Sequence, residues 1–161
     1  MSEFLFESIQ DGFPEQLTQK HILWIWNADK IPPHIGISSG KDYFSLTYRK
    51  SEHLQVLSMV KRARRSNIPL VLVEFSASLT GEELAEVFSR YERAVDGVTC
   101  LRPIREVLNA DVNQLADLLI FLKTEQLIVG VSGLNLPEGY AGIADYSMED
   151  ILNRIRFLNG K

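Results

Sequence analysis

Cys100 is the only cysteine in this chain, and it stands at the head of a helical pattern, Thr99-Cys100-Leu101-Arg102-Pro103-Ile104-Arg105-Glu106-Val107-Leu108. His34 lies far upstream, near the start of Pro32 to Leu46, PPHIGISSGKDYFSL. That stretch reads as a strand, a tight turn at Gly40 and a second strand. A lone thiol and an imidazole, distant in sequence but brought together by the fold, are the parts of a nucleophilic site. The chemistry would be attack of Cys100 on a carbonyl, with His34 moving the proton. A helix N-terminus at Cys100 would add free amides that favour thiolate and hold a developing oxyanion. Arg102 and Arg105 would add positive field if they face the site. The plainer alternatives are a buried, inert Cys100 and a His34 that merely edges a strand.

The elements that must position these residues are legible in outline. His21 to Asn27, HILWIWN, reads as a buried strand, and two prolines disfavour helix just before His34. His34 to Ser38 and Asp42 to Arg49 form an antiparallel hairpin around Ser39-Gly40-Lys41. Ser51 caps a helix from Glu52 to about Arg65, with Leu54, Leu57 and Val60 on one face and Asn67 ending it. Ile68 to Phe75, IPLVLVEF, is a central strand buried on both faces. Thr80 and Glu83 form a capping box that opens a helix to about Val95, with Leu84, Val87, Phe88, Tyr91 and Ala94 as its core face. Pro103 is tolerated only in the first turn of a helix, which places Cys100 at or beside that helix's start. Asp111 caps a further helix carrying Leu115, Leu118, Leu119 and Leu122. Leu127 to Val131 is a short strand, Leu134 to Asp145 a loop, and Ser147 with Asp150 a capping box for a last helix, Met148 to Leu158. The expected fold class is α+β, an antiparallel sheet packed against helices, in one domain over residues 1–161.

Composition narrows the function classes. The chain has 161 residues, 45% of them hydrophobic, with a net charge of −4, which gives no overall pull toward nucleic acid or anionic membrane. One cysteine excludes an internal disulfide framework and a multi-cysteine zinc site. His21, His34 and His53 show no ligand spacing, so no metal is expected, and the absence of a P-loop or G-x-G-x-x-G removes the signals for a nucleotide cofactor. Gly130 to Leu134, GVSGL, is superficially like a nucleophile elbow but lacks the last glycine. The run Lys61 to Arg65 reads as a solvated helix end, with a phosphate or nucleic-acid patch as the alternative. The N-terminus carries acidic residues where a signal peptide would carry basic ones, and no apolar run is long enough to span a bilayer. The expected location is cytoplasmic.

His34-Ile35-Gly36-Ile37, then Gly40, then Tyr43-Phe44-Ser45-Leu46, resembles the histidine strand pair of circularly permuted NlpC-like proteins. That group belongs to the papain-like superfamily and includes the lecithin retinol acyltransferase type. The segment Val98 to Leu108 is similar to the helix that carries the nucleophilic cysteine in those proteins. The resemblance covers Lys20 to Leu108. It implies a permuted papain-like arrangement, Cys100 as nucleophile, His34 as base, and an orienting polar residue at Ser45, with Thr47 as second choice. It also implies a hydrolase or acyltransferase acting on an amide, isopeptide or ester in a peptide or acyl substrate, without a cofactor. The sequence departs from the pattern at Thr99, where asparagine is common, and at Ser45, where a second histidine is usual. A pseudoenzyme or non-catalytic binding module, with Trp24, Trp26 and the loop Leu134 to Asp145 lining a recognition surface, is the competing reading.

Overall fold

The computed structural model describes residues 3–95, 98–144 and 146–159. Within them are nine strands, β1 (Phe4–Leu5), β2 (Gln10–Asp11), β3 (His21–Trp26), β4 (His34–Ser39), β5 (Asp42–Leu46), β6 (Ser51–Gln55), β7 (Leu70–Phe75), β8 (Ile128–Leu134) and β9 (Gly142–Ile143). The helices are α1 (Val56–Ser66), α2 (Gly81–Phe88), α3 (Leu101–Val107), α4 (Leu115–Thr124) and α5 (Met148–Asn159). Seven of the strands form one sheet in the order β2-β8-β7-β3-β4-β5-β6, antiparallel except where β2 runs parallel to β8. β1 pairs with β9 as a separate ribbon. The fold is α+β, and among the described residues no helix is long and apolar enough to cross a membrane.

Strand periodicity divides the core into two layers. Ile22, Trp24 and Trp26 of β3, Tyr43 of β5 and Leu70 and Leu72 of β7 pack on one face against Val56, Met59, Val60 and Ala63 of α1. Leu23 and Ile25, Ile35 and Ile37, Phe44 and Leu46, and Val71, Val73 and Phe75 point the other way, into a larger core closed by α2, α3, α4 and α5. β7 is central, between β3 and β8. Its residues from Leu70 to Val73 are fully buried on alternating sides, which is why they read as a continuous apolar run.

Several boundaries differ from the sequence expectation, each for a tertiary reason. The first turn of the expected helix after Ser51 is instead strand β6, pairing from Ser51↔Leu46 to Gln55↔Asp42. Ring stacking of His53 on Phe44, 4.3 Å between centroids, and donation by Ser45 Oγ to Glu52 hold it to the sheet edge. Leu57, expected inward, is exposed, and Val56 and Met59 fill the interface. α2 begins as expected, with Thr80 Oγ1 accepting from the Glu83 amide, but ends at Phe88. Beyond it the chain is drawn to the sheet, where the Ala94 amide donates to the Thr47 carbonyl at 2.7 Å. Gln114, not Asp111, occupies the N-cap position of α4, without a side-chain cap bond, and the Asp111 carboxylate pairs with Arg105. GVSGL lies within extended β8, so it forms no elbow. The expected loop after it contains β9, and the Ser147–Asp150 box forms with both reciprocal bonds.

Candidate functional site

The end of the sheet where β4 starts and β5 stops opens into a cavity of about 640 Å³. It wraps both faces. On the α1 side it is bordered by Trp26, His34, Tyr43, Glu52, Met59 and Arg62. On the other side it is bordered by Ile35, Thr99, Cys100, Leu101, Tyr146, Ile151 and Ile155. Lys30 to Pro33 form a lip between the two, with a cis peptide at Ile31–Pro32.

β4 delivers His34 to the α1 side. It lies opposite Trp26 in the β3 register and two residues before Gly36, which faces Tyr43. Beside it runs a polar chain. Trp26 Nε1 donates to Tyr43 Oη at 2.8 Å, Ser45 lies alongside Tyr43, and Ser45 Oγ donates to Glu52 at 3.2 Å. Burial, with the Arg62 guanidinium nearby, holds the His34 imidazole down to about 4. It is therefore neutral at pH 7.

Cys100 reaches the same cavity from the other layer. It is the N-cap of α3, and its side chain packs in the larger core. The β4–β5 register stops at Gly36↔Ser45, one residue short of Ile35, and the Ile35 amide hydrogen-bonds toward the Cys100 sulfur. Burial pushes the thiol pKa up, opposed by the amides of Ile35 and of Cys100 itself. Tyr146 is close enough to feel the thiolate charge, and its hydroxyl accepts from the Leu115 amide.

The sheet thus brings His34 and Cys100 to one cavity but aims their side chains from opposite faces. Adjacent residues of one strand, His34 and Ile35, meet the two halves of the site. Both groups are biased to their uncharged forms, the reverse of a thiolate–imidazolium pair. The Ser45 hydroxyl is engaged by Glu52, and Thr47 Oγ1 donates to the Lys50 carbonyl within a turn. His21 and His53 lie away from the cavity, bonded to the Leu79 carbonyl and to Asp42. Among the described residues no group of three His, Cys, Asp or Glu could hold a metal ion.

No family model, curated protein or solved structure matches this chain. The site is therefore read from its own chemistry. Tyr43, Glu52, Arg62 and Tyr146 escaped sequence reasoning. Tyr43 and Tyr146 look like core aromatics, Glu52 was expected in a helix turn, and Arg62 was one cation within a basic run. Trp24, expected on a recognition surface in one reading, is wholly buried, whereas Trp26 borders the cavity.

His34 gives the site a pH signature. Between about pH 4 and 6.5 the unfolded chain binds a proton at His34 that the folded chain does not. Stability from this residue is complete above 6.5 and is lost as pH falls toward 4. The imidazole keeps some solvent contact through the cavity, so about 1–2 kcal/mol of the full shift is expected. Urea denaturation of wild type and His34→Gln at pH 4.5 and 7.5 checks this. The stability difference between the two should change by that amount, and parallel pH curves would remove the assignment.

Proposed function

We propose that this chain is a non-catalytic binding module whose ligand sits in the cavity at the open end of the sheet. The observation that carries the reading is the cavity itself. Its volume falls in the about 300–1,000 Å³ range of small-molecule sites, and its wall is mostly apolar with a few convergent polar groups. His34 and Cys100, both biased to their uncharged forms and set on opposite faces of the sheet end, suit a wall better than a reaction centre. Titration with the neutral fluorescent dye N-phenyl-1-naphthylamine tests it. A saturable enhancement with one site per chain is expected, weakened about tenfold or more in Leu158→Trp, which adds bulk to the cavity wall at Leu158. A linear, unsaturable response in wild type sinks the reading.

A second reading, cysteine-dependent hydrolysis or acyl transfer on a permuted NlpC-like fold, is favoured by one observation. Cys100 and His34 border a common cavity, and the Ile35 amide faces the sulfur. Here Cys100 would attack an amide, isopeptide or ester carbonyl and His34 would carry the proton. The rate of Cys100 alkylation by iodoacetamide against pH separates the two. The binding module predicts slow alkylation that rises only above pH 9 and is unchanged in His34→Ala. A fast plateau near neutral pH, lost in His34→Ala, would establish the thiol reading instead.

A further inference from the structure

We propose that the ligand is an amphipathic monocarboxylate, its carboxylate held by Arg62 and its apolar chain laid toward Leu101, Ile151 and Ile155. This rests on the binding-module reading and names the ligand class for that cavity.

Charge is the first argument. The chain carries a net −4, yet among the described residues the Lys, Arg, Asp and Glu side chains bordering the cavity are Lys30, Arg62, Arg154 and Glu52, three cations against one carboxylate. A wall with that excess attracts an anion. The partners of these groups are the second argument. Lys30 is paired with Asp29 at 3.3 Å, Arg154 lies over the Phe157 ring at 5.6 Å, and Glu52 accepts from Ser45. The guanidinium of Arg62 has no ion pair, hydrogen bond or ring partner among the described residues, although it lies within the field of both His34 and Tyr43. An unengaged planar fork of donors at the rim of an apolar hollow matches a carboxylate.

Ligand charge and shape follow from the remaining walls. Glu52, on the α1 face with Arg62, repels a second negative charge, which favours a monoanion over a phosphate dianion. The far wall, Leu101 with Ile151 and Ile155 of α5, offers apolar surface and calls for an alkyl or aryl tail.

Isothermal titration calorimetry of the full chain with octanoate and with octanol tests this. Octanoate should bind about tenfold or more tightly than octanol, the size of one charge-assisted hydrogen bond. Arg62→Ala should erase that preference by weakening octanoate far more than octanol, and Arg62→Lys should restore part of it. Arg62 is exposed on α1, so both variants should keep the wild-type circular dichroism. Equal affinities for the two ligands, or a preference that survives in both Arg62→Ala and Arg62→Gln, would overturn the carboxylate assignment and leave the binding module standing. Absence of binding by either ligand, together with a failed dye titration, would overturn both.

Discussion

Replacing Gly36 by alanine is expected to destabilise the protein by about 3 kcal/mol, the upper end for overpacking a well-filled core. Gly36 sits on β4 facing the ring of Tyr43. A Cβ there would overlap Tyr43 Oη and Cζ and come within 2.7 Å of Cε2. The ring is tied in place, so moving it toward the cavity it borders breaks contacts. Its hydroxyl is held by Trp26 Nε1 at 2.8 Å, and its plane meets Trp24 edge-on at 5.3 Å between centroids. Either β4 and β5 part locally, or Tyr43 swings out and leaves the Trp26 N–H without its acceptor. The first loses ladder hydrogen bonds and the second strands a buried donor. Urea denaturation measures the loss. In a Tyr43→Ala background, where the space is already vacated, the same Gly36→Ala change should cost less than about 1 kcal/mol. A single variant within about 0.5 kcal/mol of wild type would show that the ring relaxes without strain.

Trp24→Ala should cost about 3–5 kcal/mol, a substantial part of the stability of an ordinary domain. The indole is completely buried at the centre of the sheet, stacked on Trp26 at 5.8 Å and beside Phe13 at 6.4 Å. Its Nε1 donates to Ser38 Oγ at 2.9 Å across the β3–β4 pair. Truncation therefore opens a hole between β3 and α1 and leaves the wholly buried Ser38 hydroxyl without its donor. Trp24→Phe separates the two contributions, because it keeps most of the ring and deletes only the N–H. Combining it with Ser38→Ala should recover about 1 kcal/mol of the Trp24→Phe loss, since an unpaired buried hydroxyl is then removed. Independent, additive losses would show that this hydrogen bond contributes nothing of its own.

Gly36, Tyr43 and the Ser38 partner of Trp24 all lie in the stretch PPHIGISSGKDYFSL, where local pattern explains some residues and not others. The hairpin was legible because β-branched and aromatic runs flank a turn at Gly40, whose positive φ of 61° suits glycine. Gly36 within the strand carried no such signal. Its reason is a ring seven residues along the chain, and only the β4–β5 register brings the two together. The amphipathic spacing of Leu54, Leu57 and Val60 suggested a helix, but pairing with β5 outweighed it over Ser51–Gln55. Local periodicity states which residues can share a face. It does not state whether a neighbouring strand edge lies open beside them.

The candidate site divides along the same line. The sequence by itself determined the α+β class, the hairpin, a buried central strand within Ile68 to Phe75, and Cys100 at the start of a helix, because each rests on local pattern, turn chemistry or proline sterics. Only the tertiary structure decided that His34 and Cys100 reach one cavity from opposite layers. Side chains of neighbouring strand residues point to opposite faces, so His34 goes with Arg62 and Tyr43, while the Ile35 amide goes to the thiol. Burial then sets both groups to their neutral forms, and no spacing within a sequence encodes that desolvation.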